Sequence, residues 1–236
     1  MSIKIPTVEE MLECGMHFGH PAAKWHPKAA SYIYGVKNGV HIINLMKTEE
    51  SLKSILEKVS EVVAKGDEIL FVGTKKQAKD AIKSAALKCS MPYVNERWLG
   101  GTFTNFGTLL KSIKKLNKLE LEKETGEFIK YTKKEVIVLN RLIEKLNKNL
   151  GGIKNIKKLP ALVFVVDLKS QDTTIKEAKN RKIPIIGICD TNVDPNLVDY
   201  QIPANDDAIK SIEMIVNLIA DAVNEGKKRI PEINKK

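Results

Sequence analysis

The chain has 236 residues, 39 Lys plus Arg against 29 Asp plus Glu, and a formal net charge of +10. That length fits one large domain, or one domain carrying an insertion, and a hydrophobic fraction of 43% excludes wholesale disorder. The longest apolar runs, Ala161 to Val166 and Ile185 to Cys189, fall far short of the roughly 20 residues a membrane-spanning helix needs. No signal-peptide apolar core follows Met1, so a soluble, cytoplasmic protein with no membrane partner is expected.

Cys14, Cys89 and Cys189 are widely separated, which argues against a disulfide framework. Only four of the cations are arginines (Arg97, Arg141, Arg181 and Arg229). A lysine surface suits diffuse phosphate contact better than the bidentate reading of base edges.

In chain order, Val8 to Cys14 reads as a short helix. All four histidines, His17, His20, His26 and His41, lie in the first 41 residues, before or within an expected hairpin, 31–36 and 39–43. Cys14 and His17-Phe18-Gly19-His20 invite a metal reading, but no second ligand pair stands at zinc spacing. Packed histidines are the alternative. Leu52, Ile55, Leu56, Val59, Val62 and Val63 then predict a long helix.

From Glu68 the pattern alternates strand and helix. Ile69 to Val72 is an apolar strand ending at Gly73-Thr74, and Lys75 to Lys88 is expected to be helical. Free amides and a helix dipole behind Gly73-Thr74-Lys75 would favour an anion, although the glycine fingerprints of nucleotide sites are missing. Pro92-Tyr93-Val94, Ala161–Val166 and Ile185–Ile188 supply further strands, with Ile202 as an edge strand. Ile175–Asn180 is expected as a short helix. Ile209, Ile212, Ile215, Ile219 and Val223 line one face of a terminal helix capped by Asn205 or Asp206.

Continuous apolar strands between helices predict an α/β fold with a doubly wound, mainly parallel sheet of the Rossmann or flavodoxin-like kind. Asp167, Asp190 and Asp194 follow strand ends, where such sheets bind ligands or simply make turns. A magnesium or zinc ion shared among His17, His20, Asp190 and Asp194 is one reading of these residues. No cofactor is required.

The stretch from Phe106 to Leu150 breaks the alternation. Phe106, Leu109, Ile113 and Leu116, then Val136, Leu139, Ile143, Leu146 and Leu150, repeat at three and four residues, which predicts an inserted antiparallel coiled-coil helical hairpin. Eleven basic residues against six glutamates give this arm a net +5, half the charge of the chain. Gly151-Gly152 allows a sharp return. The expected organisation is a discontinuous core, 1–104 with 153–226, an insertion over 105–152 and a short basic tail, 227–236. The segment before the arm, 95–105, is dense in glycines and aromatics. Arg97 could meet a phosphate there, while Trp98 could stack on a base or fasten the arm to the core.

Cys14–His20, Trp25-His26-Pro27-Lys28, Gly39–Thr48, Leu70–Lys75, Asn95–Gly101, Asp190-Thr191-Asn192 and Asn205–Ile209 form an ordered set of motifs. Together they resemble the bacterial ribosomal protein S-two family, the second protein of the small ribosomal subunit, from about Val8 to Gly226. Thr102-Phe103 and Ala204 depart from the usual pattern, and no acidic tail follows Lys227-Lys228-Arg229.

The resemblance implies an α/β core with a coiled-coil insertion, a structural ribosomal role and no catalysis. The partners it implies are small-subunit ribosomal RNA and neighbouring ribosomal proteins, including the large messenger-RNA-binding protein S-one. No homo-oligomer is expected. Phosphate contact is expected from Lys24, Lys28, Lys75, Lys76, Arg97, Lys111, Lys114, Lys115 and Lys118, with Trp98 beside them. The rival readings are an α/β enzyme holding a nucleotide or sugar phosphate at the sheet's carboxyl edge, and a coiled-coil adaptor that binds only protein.

Overall fold

The computed structural model describes residues 3–233, with the side chains of 231–233 left aside, so the last residues of the expected tail lie outside the described residues. Five strands form the central sheet: β4 (Ile69–Val72), β5 (Tyr93–Val94), β6 (Leu162–Val165), β7 (Ile185–Cys189) and β8 (Tyr200–Pro203). Their spatial order is β5-β4-β6-β7-β8, and every neighbouring pair is parallel. The order reverses between β4 and β6, as in flavodoxin-like sheets, and Pro203 is tolerated because β8 is an edge.

Strands β4, β6 and β7 are buried at every position, so alternate side chains feed two separate cores. Ile69, Phe71, Phe164 and Ile186 face α2 (Leu45–Ala64), α3 (Lys79–Lys88) and α7 (Ile209–Ile233). Leu70, Val72, Val163 and Ile185 face α6 (Asp172–Asn180), the 98–103 segment and the roots of α4 (Phe106–Glu124) and α5 (Lys133–Leu150). Burial on both faces explains why the strands read as continuous apolar runs instead of alternating ones. Helix α7 runs unbroken through 227–233, and Lys227 Nζ donates to the Cys89 carbonyl at 2.6 Å.

Helix α3 begins at Lys79, four residues later than its periodicity predicts. Residues 75–78 form a turn in which Ala78 N–H donates to the Lys75 carbonyl. Helix α6 begins three residues earlier than expected, at Asp172. The N-terminal part adds α1 (Val8–Glu13), closed by a Thr7–Glu10 capping box. It also holds a three-stranded antiparallel sheet in the order β1-β3-β2, from Phe18–Pro21, Val40–Ile43 and Ile33–Lys37. Strand β1 is absent from the periodicity reading and exists through its pairing with β3.

Between β5 and β6 stand α4 and α5, joined through a short 3-10 helix at Glu127–Lys130. Leu109, Ile113, Leu116, Ile143 and Leu150 are buried in one cluster, with Phe106, Val136, Leu139 and Leu146 packed against it. Asn147 Nδ2 donates to Glu120 at 2.6 Å, and Lys154 reaches the same carboxylate at 3.2 Å. A shallow cleft brings Lys123 and Glu124 beside Ile143 and Lys148. The end of α4 therefore lies beside the second half of α5, and the first turns of α5 extend past it. Gly152 takes no left-handed turn; a Cβ there would stand 2.2 Å from the Tyr93 carbonyl, so glycine serves the close return of the chain against β5.

Candidate functional site

The carboxyl edge of the sheet holds two sets of groups. At the strand-order reversal, the β4 and β6 loops are tied together: Gln171, 3% exposed, donates from Nε2 to Thr74 Oγ1 at 2.6 Å. Asp167 accepts from Ser170 N–H and Oγ at 3.3 and 2.8 Å, forming a turn. Gly73 is required by packing, since its Cβ would lie 2.7 Å from Ile82 Cγ1 of α3. Helix α3 starts at Lys79, so Gly73-Thr74-Lys75 ends four residues before its first turn. The Gln171–Thr74 hydrogen bond spans the two loops at this crevice.

The second set lies above β7 and β8. His20 Nδ1 is 3.1 Å from Asp190, and its Nε2 is 3.4 Å from Asp207. Lys75 Nζ reaches across to Asp206 at 2.8 Å and Asp207 at 2.7 Å. One ligand-capable atom from each of His20, Asp190, Asp206 and Asp207 falls within a 4.8 Å cluster. Asp190 and Asp206 are 1% and 2% exposed on the side chain.

The cluster sets three carboxylates against one lysine and one histidine. Burial, with Asp190 adding, pushes the Asp206 carboxyl up to about 6 against the pull of Lys75. The hydrogen bond to Asp190 raises His20 despite its partial burial. Burial alone would depress the Lys75 ammonium, yet Asp206 and Asp207 hold it above its ordinary value. The rises at His20 and Lys75 answer the neighbouring carboxylates, whereas the rise at Asp206 comes first from burial.

His20 and Asp190 thus come together as expected, joined by Asp206 and Asp207, whose positions in the sequence point only to helix capping. His17 and Asp194 are not in the cluster. His17 packs against Phe18 with ring centroids 3.9 Å apart. Asp194 accepts from Asn196 N–H and pairs with Lys28 at 2.7 Å, which holds its carboxyl low. The cluster exists because β1 is docked on the edge: His20 N–H donates to Thr191 Oγ1 at 2.8 Å and Asn205 N–H to the Met16 carbonyl at 3.0 Å.

The expected phosphate contacts divide by what already holds them. Lys75 and Lys28 are committed to carboxylates, and Lys118 lies 3.6 Å from Glu122. Lys24, Lys76, Arg97, Lys111, Lys114 and Lys115 are exposed, with no ion pair among the described residues. Trp98 is 9% exposed, packs edge-to-face on Phe103 at 4.9 Å and donates from Nε1 to Glu177 at 3.2 Å. Its ring is buried in the root of the arm and presents no face to a base.

Glu177, on α6, is the residue that pattern reading missed. Its buried carboxylate also accepts from the backbone N–H of Gly101 (2.7 Å), Phe103 (2.9 Å) and Thr104 (3.1 Å) and from Thr104 Oγ (3.2 Å). Burial would raise this carboxyl, but those N–H donors outweigh it and hold it below the usual range. One turn on, Arg181 donates to the carbonyls of Phe103 and Thr104. The signal available in sequence was an i, i+4 Glu–Arg pair on a short helix, alongside a glycine-rich loop with unspoken N–H groups.

A parallel α/β core with both faces covered, an acidic edge cluster paired with His20 and Lys75, and a lysine-rich helix pair held by a buried carboxylate define a scaffold more than a pocket. The family model for ribosomal protein S2 matches residues 11–226. The small ribosomal subunit protein uS2 of Campylobacter concisus is 49% identical over 221 residues, covering 94% of this chain and 84% of the relative. That of Lawsonia intracellularis is 47% identical over 220 residues, covering 93% and 76%. The chain belongs to the ribosomal protein S2 family, a family of ribosomal proteins and not of enzymes. Among the described residues no helix is long and apolar enough to cross a membrane.

Proposed function

We propose that this chain is a structural constituent of the small ribosomal subunit that binds ribosomal RNA through its lysine surface. The observation that carries the reading is the row of Lys111, Lys114 and Lys115, exposed on α4 and free of carboxylate partners among the described residues. Lys24, Lys76 and Arg97 extend it on the core, and Lys28, Lys75 and Lys118 join on exchanging a carboxylate for a phosphate. The arm over 105–152 acts as a coiled-coil hairpin inserted between the halves of the core, 1–104 and 153–226, with 227–236 as a basic end. Neighbouring subunit proteins, including the messenger-RNA-binding protein S-one, complete its partners, and it works as one copy on the cytoplasmic ribosome. Purified protein should bind naked small-subunit ribosomal RNA with an affinity that falls steeply with salt, as counterion release requires. Binding indifferent to salt would remove the reading.

The carboxyl-edge cluster supports one addition, a divalent cation held by His20, Asp190, Asp206 and Asp207. One imidazole with three carboxylates suits zinc better than magnesium, which prefers oxygen ligands alone. Isothermal titration of the purified chain with zinc should show saturable uptake that Asp206→Asn abolishes. Uptake unchanged by that substitution, or no uptake at all, contradicts it.

A further inference from the structure

The amino edge of the sheet, opposite the aspartate cluster, carries a cleft of about 350 Å³ between the end of α3 and the chain returning from the arm. Glu68, just ahead of β4, lines it together with Leu87, Met91, Tyr93, Lys154 and Ile156. Met91 and Ile156 are buried, while Leu87 is 60% exposed. Gly152 lies close against the Tyr93 carbonyl and ring, which fixes the wall on the side of the arm.

Glu68 is out of keeping with these apolar walls. Its carboxylate has no hydrogen bond or ion pair among the described residues, and its Oε2 is closed off from solvent. A buried carboxylate oxygen without a donor is costly to the fold. Nearby cations are spent elsewhere: Lys158 feels the Glu68 charge but donates to Asp67 at 2.7 Å, and Lys154 reaches Glu120 at 3.2 Å. The rim is nevertheless basic. Lys157 follows Ile156, and Lys83 stands one turn before Leu87 on α3, both exposed and without an ion pair among the described residues.

We propose that this cleft takes a single unpaired guanine base, with its phosphate held by the lysines of the rim. A simple cation would answer Glu68 but meet Lys154 and the rim, and a simple anion would meet Glu68. A nucleotide meets every demand, with N–H donors on the base edge, apolar faces for the walls and negative charge outside. Guanine is the base whose N1–H and N2 amine stand side by side, a match for the two oxygens of one carboxylate. Adenine and cytosine offer one amine beside a ring acceptor, and the N3–H of uracil is flanked by two carbonyls. Free guanine nucleotides and unpaired guanosines in RNA present the same edge, and the two sources are separated by titration. The inference does not rest on the small-subunit reading, because the purified chain alone tests it.

The full chain is titrated calorimetrically with GMP, IMP, AMP, CMP and UMP, and with the RNA pentamers UUGUU, UUIUU and UUAUU. The expected result is saturable binding of GMP, weakened about tenfold for IMP, which lacks the N2 amine, and absent for the other three. Glu68→Gln, with an unchanged melting temperature, should remove the preference for GMP over IMP. A preference for UUGUU over both other pentamers, lost in Glu68→Gln and without uptake of GMP, assigns the base to RNA and supports the proposal equally. Absence of a guanine preference in both ligand sets overturns it, as does a preference that survives in folded Glu68→Gln. Should that variant fail to fold, the comparison of guanine with inosine decides on the unmodified chain.

Discussion

Glu177→Ala is expected to destabilise the protein by about 3–5 kcal/mol, the cost of removing a buried charged acceptor and stranding its donors. For a chain of this length, that is a fall in melting temperature of roughly 10 °C. The reason is local and specific. Four backbone or indole N–H groups and one hydroxyl converge on a single carboxylate. Glu177→Gln should lose less, since one oxygen still accepts, but its amide would face N–H donors.

The pH dependence has a definite sign. The carboxyl is held below its ordinary 4.5, so its contribution is fully present above that value and is lost as pH falls through the folded one. The stability gap between wild type and Glu177→Gln should be flat from neutral pH to about 5 and then close on further acidification. A gap under 1 kcal/mol at neutral pH in thermal or urea unfolding would show that the carboxylate does not hold the root of the arm.

Replacing Lys111, Lys114 and Lys115 together with alanine should leave the fold intact, because all three are exposed and alanine favours helix at least as well. Ribosomal RNA binding should weaken, most of all at low salt. Three phosphate contacts contribute about 2–3 to the slope of log affinity against log salt. The ratio of wild-type to triple-variant affinity should therefore shrink roughly 20- to 40-fold between 50 and 200 mM salt. A ratio constant across that range would mean that these lysines meet no phosphate. The single substitution Lys75→Ala is not equivalent, because Lys75 already neutralises Asp206 and Asp207 inside the protein.

The core was legible because burial on both faces leaves only apolar choices: Ile69–Val72, Leu162–Val165 and Ile185–Cys189 cannot be read as anything but interior segments. Helix α7 was equally plain from its apolar stripe. Strand β1 was hidden because His17-Phe18-Gly19-His20 has no alternation, and its pairing with Val40–Ile43 is a long-range fact. The start of α3 was misplaced because Lys75 to Ala78 are good helix formers held in a turn.

At the candidate site, the residue types were visible but their partnerships were not. Asp206 and Asp207 look like capping residues in sequence, and only the sheet order brings them to His20 and Asp190. Gly73-Thr74-Lys75 looks like an anion loop, and only the position of Ile82 shows that the glycine serves packing. Trp98 stood between two readings in sequence, and its hydrogen bond to Glu177, 79 residues away, decides for the root of the arm.

The most direct measurement sediments a cell lysate through a sucrose gradient, probing every fraction for this chain, with an RNase-treated lysate run in parallel. The account predicts that the protein peaks with the small ribosomal subunit and leaves that position when RNA is digested. A peak of free protein near 26.4 kDa in untreated lysate, or co-sedimentation that persists after complete RNA digestion, would contradict it.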